Sequence, residues 1–200
     1  MFRYRIIGLI SLFLSLTTIN SKSQSFVLSK ESAPILISGT STLHDWKMYL
    51  KIFDCNANFI LKGSLLKGID AVSFSCKATD LKSDNSLMDR KAYSALKFTA
   101  FPEIKFTSTS AIGISLDNNK FRDILAGNLF IAGKSVPVSI PLTGALSNIN
   151  GTNKIDVSGE IELKMSDFDI TPPTAMLGTL KTGDKVKVSF SFQFLMKSVK

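Results

Sequence analysis

Val186-Lys187-Val188-Ser189-Phe190-Ser191-Phe192-Gln193-Phe194-Leu195-Met196 alternates apolar and polar side chains, and Leu195 alone breaks the polar side. Successive side chains of a strand point to opposite faces, so this period of two predicts a β-strand with one buried side. The same pattern recurs upstream. Ile155, Val157, Gly159, Ile161, Leu163 and Met165 alternate with Lys154, Asp156, Ser158, Glu160, Glu162 and Lys164. Ile104, Phe106, Ser108, Ser110, Ile112, Ile114 and Leu116 form a third set whose alternate partners are small or polar.

Turn chemistry separates these runs. Asp117-Asn118-Asn119 and Ala132-Gly133-Lys134 carry residue types suited to tight turns, and Asn150-Gly151 is a hairpin signal before the Ile155 strand. Pro137 and Pro141 share one parity of the run 136–142. Each removes a ladder donor, so this strand is an edge or places its prolines where no ladder bond is needed. In the long run 46–61 the apolar side changes: Trp46, Met48, Leu50 and Ile52 share one parity, and Phe53, Cys55, Ala57 and Phe59 the other. A bulge or sharp bend at Ile52-Phe53 puts both sets on one face. One helix is expected over 86–97, started by a capping box of Ser86 and Asp89, with Arg90, Lys91 and Lys97 on its solvated face. A second short helical or irregular piece spans 166–180, interrupted by Pro172-Pro173. Eight or nine strands with one or two short helices, and no repeat or linker, indicate an all-β domain built as a barrel or sandwich.

Residues 1–24 have the layout of a secretory leader. Arg3 and Arg5 precede the apolar run 6–16, and a small, polar stretch leads to a cleavage point near Ser23, Gln24 or Ser25. That run is too short to span a bilayer, and no later one is long enough. The expectation is therefore a periplasmic or secreted protein whose residues 25–200 form one domain. The formal charge of +8 falls to +5 once Arg3, Arg5 and Lys22 leave with the leader. A charge of this size serves solubility and favours approach to anionic head groups. The lysines are scattered rather than interleaved with aromatics, which argues against nucleic-acid binding. Charge and composition leave the oligomeric state open, a dimer included.

Two cysteines in an exported chain permit a disulfide. A hairpin centred between Leu65 and Leu66 sets Cys55 opposite Cys76, so a cross-strand bridge and two buried thiols are both open readings.

The stretch Gly39-Thr40-Ser41-Thr42-Leu43-His44-Asp45-Trp46 contains the only histidine and the only tryptophan of the chain. A hydrolytic triad would draw on Ser41 or Ser38, His44 and an acid. No nucleophile elbow is present, and adjacent strand residues face opposite ways, so Asp45 does not orient His44. One imidazole does not hold a metal. No catalytic residue and no metal site is expected. His44 then reads as a hydrogen-bonding group at or inside the rim, Asp45 as a turn cap or lysine partner, and Trp46 as core or an end plug.

This stretch, preceded by Ser38, resembles the start of bacterial YceI-like proteins. So does the series after it: Leu81-Lys82-Ser83, Leu87-Met88-Asp89-Arg90-Lys91-Ala92-Tyr93, Leu96-Lys97, Phe101-Pro102-Glu103-Ile104-Lys105-Phe106, and 127–138 with its Gly133-Lys134-Ser135-Val136-Pro137-Val138 end. The resemblance covers roughly 35–194. It implies a single antiparallel, eight-stranded, lipocalin-like barrel and a non-enzymatic carrier that holds a polyisoprenoid or isoprenoid-quinone lipid in its interior. A barrel of eight strands is either filled by its own side chains or wide enough for one slim ligand. The inward parity is rich in Phe, Met, Val and Ile, and the chain has fifteen phenylalanines overall. Trp46, Met48, Phe74, Phe106, Phe190 and Phe192 are the lining candidates, with His44 as a polar contact for a ligand head. The alternative is a structural or stress-related interaction barrel with a filled core.

Overall fold

The computed structural model describes residues 26–62, 65–109, 111–149, 152–175 and 178–196. The leader and its cleavage point, and the Asn150-Gly151 turn, lie outside the described residues. The elements in chain order are β1 (Phe26–Leu28), β2 (Ile35–Ser41), β3 (Trp46–Leu50), β4 (Asp54–Lys62), β5 (Leu65–Lys77), β6 (Leu81–Lys82), α1 (Ser86–Ala95), β7 (Glu103–Ser108), β8 (Ile112–Gly113), β9 (Lys120–Ile131), β10 (Lys134–Ile149), β11 (Thr152–Lys164), β12 (Thr174–Ala175) and β13 (Leu180–Met196).

All the strands join one sheet of thirteen. Its main path runs β4-β5-β7-β9-β10-β11-β13-β2-β3-β6, with β1 and β12 added to β13 and β8 to β5. Every neighbouring pair is antiparallel. Among the described residues the class is therefore all-β with one α-helix, within the one or two short helices expected, but the sheet is a curled half-barrel and not a single eight-stranded barrel. Among the described residues no ladder joins β4 to β3 or β6. That seam is bridged by side chains. Phe59 on β4 meets the ring of Phe26 at 5.1 Å and that of Phe194 at 5.0 Å. The extra strands are mostly two- or three-residue pieces, too short to carry a period. One expected strand is also divided: Ser108 Oγ accepts from the Val72 backbone N–H at 2.9 Å, and β7 stops there before β8 resumes the same parity.

The long strands follow their alternation. On β13 Phe192 and Phe194 are buried while Lys187 and Ser191 are exposed. Their partners on β11 are Val157 and Ile155, also buried, so apolar residues of neighbouring strands meet on one face. Three inward glycines face an aromatic residue on the next strand: Gly39 opposite Trp46, Gly144 opposite Phe121, Gly159 opposite Phe190. A Cβ at Gly144 would overlap the Phe121 ring and stand 2.5 Å from the Asp156 carbonyl oxygen. Small residues here let large rings lie across the sheet.

Asn118 (φ 49°) and Asn119 (φ 62°), then Ala132 (φ 52°) and Gly133 (φ 90°), make two-residue turns with both central φ positive. This hand of turn matches the twist of the strands it joins. Pro137 and Pro141 are explained by the ladder: β10 pairs with β11 only from Leu142 onward, so residues 134–141 have β9 on one side alone. The run 46–61 is two strands joined by a corner at 51–53. Met48 and Leu50 are buried on one parity and Phe59 and Leu61 on the other. Ile52, expected inward, is 69% exposed because the chain turns at that residue. The corner carries the chain from one end of the ladder to the other, across the seam.

Two local expectations need correction. Helix α1 is capped by Asn85, whose Oδ1 accepts from the N–H groups of Leu87 (2.9 Å) and Met88 (3.1 Å). Ser86 therefore lies inside the helix, and the carboxylate of buried Asp89 instead accepts from the Ser83 N–H at 2.8 Å and Oγ at 2.6 Å. Of the two readings left open for Cys55 and Cys76, the cross-strand bridge is not formed. The β4–β5 hairpin pairs Lys62 with Leu65, so it turns earlier than a centre between Leu65 and Leu66 requires. Irregularities between Asn56 and Asn58 and between Ile60 and Leu61 recover only part of that offset, and Cys55 faces Phe74. Cys76 faces Ile104 on β7, and both thiols are free.

Candidate functional site

The inner face of the curled sheet and one side of α1 enclose a cavity of about 580 Å³. Its deep end is closed by Phe59, Ile69 and Phe194, all 3% exposed or less. Its open end is fringed by the turn 41–45, by Asn85, Leu87 and Lys91 of the α1 region, by Pro173 and Thr174, and by Lys181. All seven residues named from the sequence lie along it. Met48, Phe106 and Phe192 are buried in the wall, Phe74, Phe190 and Trp46 are half-buried, and His44 is exposed at the opening. The rings of Phe190 and Phe192 stack at 4.8 Å, and Phe53 bridges Phe192 (5.3 Å) and Phe74 (5.7 Å). Ala57 and Val72 also line the wall, though neither stands out in the sequence. Their strand parity, shared with Phe59 and Phe74 respectively, is the signal that finds them.

The opening is built from interlocked short segments. Ser41 Oγ accepts from the N–H groups of Leu43 (3.3 Å) and His44 (3.2 Å) and donates to the His44 carbonyl at 2.6 Å. The turn is pinned to β13: the Thr42 N–H donates to the Lys181 carbonyl at 3.0 Å, and the Lys181 N–H donates to Thr42 Oγ1 at 3.2 Å. Lys91 Nζ donates to the Thr174 carbonyl at 2.8 Å and ties α1 to the opposite side.

His44 Nδ1 donates to the backbone carbonyl of Asp45 at 2.8 Å, so the imidazole is held by main chain rather than by the Asp45 carboxylate. This arrangement is not an acid–base dyad. Trp46 Nε1 donates to the Thr40 carbonyl at 3.0 Å, and its ring lies over Gly39. The indole is a fixed piece of wall. Among the described residues no group of three or more His, Cys, Asp or Glu is placed to hold a metal ion, and no helix is long and apolar enough to cross a membrane.

Cys55 and Cys76 both line the cavity. Burial pushes each thiol up to about 12, and Asp80 adds to the rise at Cys76. A folded-state value above the unfolded one means that the native protein holds a proton the unfolded chain has lost. Stability from these thiols is complete below about pH 9 and is lost between about pH 9 and pH 12, with a slope of about 1.4 kcal/mol per pH unit per thiol. Urea unfolding across that range checks this. The Cys55→Ala/Cys76→Ala protein is expected to lose the corresponding part of the slope, and an unchanged slope would show that the thiols are solvated.

The profile of the YceI-like domain matches residues 26–194. No curated protein matches the chain. Among solved structures, the fold is similar to a Campylobacter jejuni YCEI protein (17% identity, 96% of this chain and 100% of that one, TM-score 0.61). It is also similar to a polyisoprenoid binding domain from Saccharophagus degradans implicated in plant cell wall breakdown (10% identity, 87% and 99%, TM-score 0.62). Burkholderia cenocepacia BcnA is similar at 16% identity, over 80% and 95% of the two chains, with a TM-score of 0.55. With the profile spanning nearly all the described residues, the chain belongs to the YceI-like family.

Proposed function

We propose that this chain is an exported, non-enzymatic carrier that holds an amphiphile by its isoprenoid tail. One observation carries the reading. The cavity is closed at its deep end by aromatic and aliphatic side chains, and its exposed polar groups gather at the opening. Its volume of about 580 Å³ lies in the range of small-molecule sites, which disfavours a barrel filled by its own core. The tail is driven in by removal of apolar surface from water, at about 25 cal/mol per Å². The head, a quinone ring or another polar group, stays at the rim near His44. The polyisoprenoid binding domain with the same fold supports this choice of ligand class. Catalysis is disfavoured because the single histidine is tied to main chain.

Native mass spectrometry of protein purified from its own envelope, followed by organic extraction, tests the reading. A co-purifying prenyl-chain lipid is the expected result. Repeated recovery of lipid-free protein would overturn it.

A further inference from the structure

We propose that the open end of the cavity is a docking surface for an anionic lipid bilayer. Two large apolar side chains stand out from the fringe of the opening, Leu43 at 66% and Leu87 at 53% exposure. They come from separate elements, and each backbone is held by a local hydrogen bond. Ser41 Oγ fixes the Leu43 N–H and Asn85 Oδ1 fixes the Leu87 N–H. Ordinary burial does not explain them, since both line the entrance of the cavity and yet remain largely exposed.

The charged side chains that line the cavity there have one sign. Lys91, Lys164 and Lys181 line the cavity at this end, and no Asp or Glu does. None of the three forms an ion pair among the described residues. The five ion pairs found there, such as Lys185–Glu162 and Lys187–Glu160, involve other lysines. Asp184 is the carboxylate whose charge senses Lys164, and it is engaged with Ser166, accepting from its N–H at 2.8 Å and its Oγ at 2.6 Å. Asp45 and Asp84 neighbour the rim in sequence but stand outside the cavity wall.

Single leucines projecting beside lysines that carry no ion pair among the described residues, Lys91 being bonded to a neutral carbonyl, suit a bilayer better than a protein partner. The two tips do not form a contiguous apolar patch, because the opening of an apolar cavity lies between the elements that carry them. Leucine tips enter the boundary between head groups and acyl chains, while ammonium groups remain at head-group level against anionic lipid. Docked in this way, the opening faces the lipid phase.

Vesicle sedimentation of the intact chain tests the proposal. Equimolar phosphatidylglycerol–phosphatidylcholine vesicles are compared with pure phosphatidylcholine, at low and high salt. Binding to the anionic vesicles at low salt is expected, weakened about tenfold or more by high salt, by Leu43→Ser/Leu87→Ser and by Lys91→Gln/Lys181→Gln. The outer-wall variant Ile124→Ser, at a residue 57% exposed, is expected to bind like the parent. Thermal unfolding confirms that each variant is folded. Absence of binding to anionic vesicles at low salt, equal binding by folded rim variants, or equal loss with Ile124→Ser overturns the docking surface. Lipid content is read separately by extraction. Lipid-loaded protein that ignores vesicles overturns only the docking, and vesicle-binding protein without lipid overturns only the carrier reading.

Discussion

Replacing Phe59 by alanine lowers the unfolding free energy by about 3–5 kcal/mol, a large share of what a domain of this size has to lose. Phe59 is 1% exposed and sits where the sheet fails to close. Its ring meets Phe26 of β1 and Phe194 of β13 in edge-on contacts, and so joins β4 to the β1–β13 pair, with which it shares no ladder. The gap left by truncation opens into the existing cavity and has little prospect of collapsing, which places the loss toward the upper end of that range. Phe59→Leu, which keeps most of the volume, is expected to lose about 1.5 kcal/mol or less. Urea unfolding of both variants measures this. A loss below about 1 kcal/mol for Phe59→Ala would mean that the seam is held by something other than these rings.

The second large effect is on lipid retention. Ala57→Trp is expected to reduce co-purifying lipid about tenfold or more while changing stability much less than Phe59→Ala does. Ala57 faces the cavity from β4, so an indole there enters empty space rather than packed core. Each methylene kept out of the cavity loses about 0.8 kcal/mol, and two of them already approach a tenfold change. Lipid-to-protein ratio after extraction is the readout, with the parent prepared in parallel. Undiminished lipid in a folded Ala57→Trp protein would place the tail elsewhere.

The parts of the fold that repeat a period were legible in the sequence. The alternation in β11 and β13 marks the buried faces, and the parity change at Ile52-Phe53 marks the corner. The wall of the cavity follows from the same rule, which is why Met48, Phe74, Phe106, Phe190 and Phe192 fall along it. The missed features depend on geometry that carries no period. Strands of two or three residues owe their existence to a neighbour's ladder, so the count of eight or nine falls short of thirteen. Where the β4–β5 hairpin turns cannot be seen in composition, and because Lys62 pairs with Leu65 the register leaves Cys55 opposite Phe74 rather than Cys76. Asn85 and Ser86 are both good caps, and only the path of the chain entering the helix decides between them. The rim was least legible, because Lys91 and Lys181 are distant in sequence and are brought to it by single hydrogen bonds, Lys91 Nζ to the Thr174 carbonyl and the Lys181 main chain to Thr42, that follow no period.

The half of β10 that runs beyond β11 has a further consequence, for how copies of the chain meet. A long strand with one unpaired side is a template on which another molecule can lay its own backbone, and repeated addition leads to aggregates. Residues 134–141 are such a side, and two of them carry no N–H to offer. Pro137 and Pro141 interrupt any incoming ladder at every fourth position. The prolines thus protect the molecule from its own kind along a stretch of β10 that has no second ladder and only the 165–170 segment beside Lys134 and Val136.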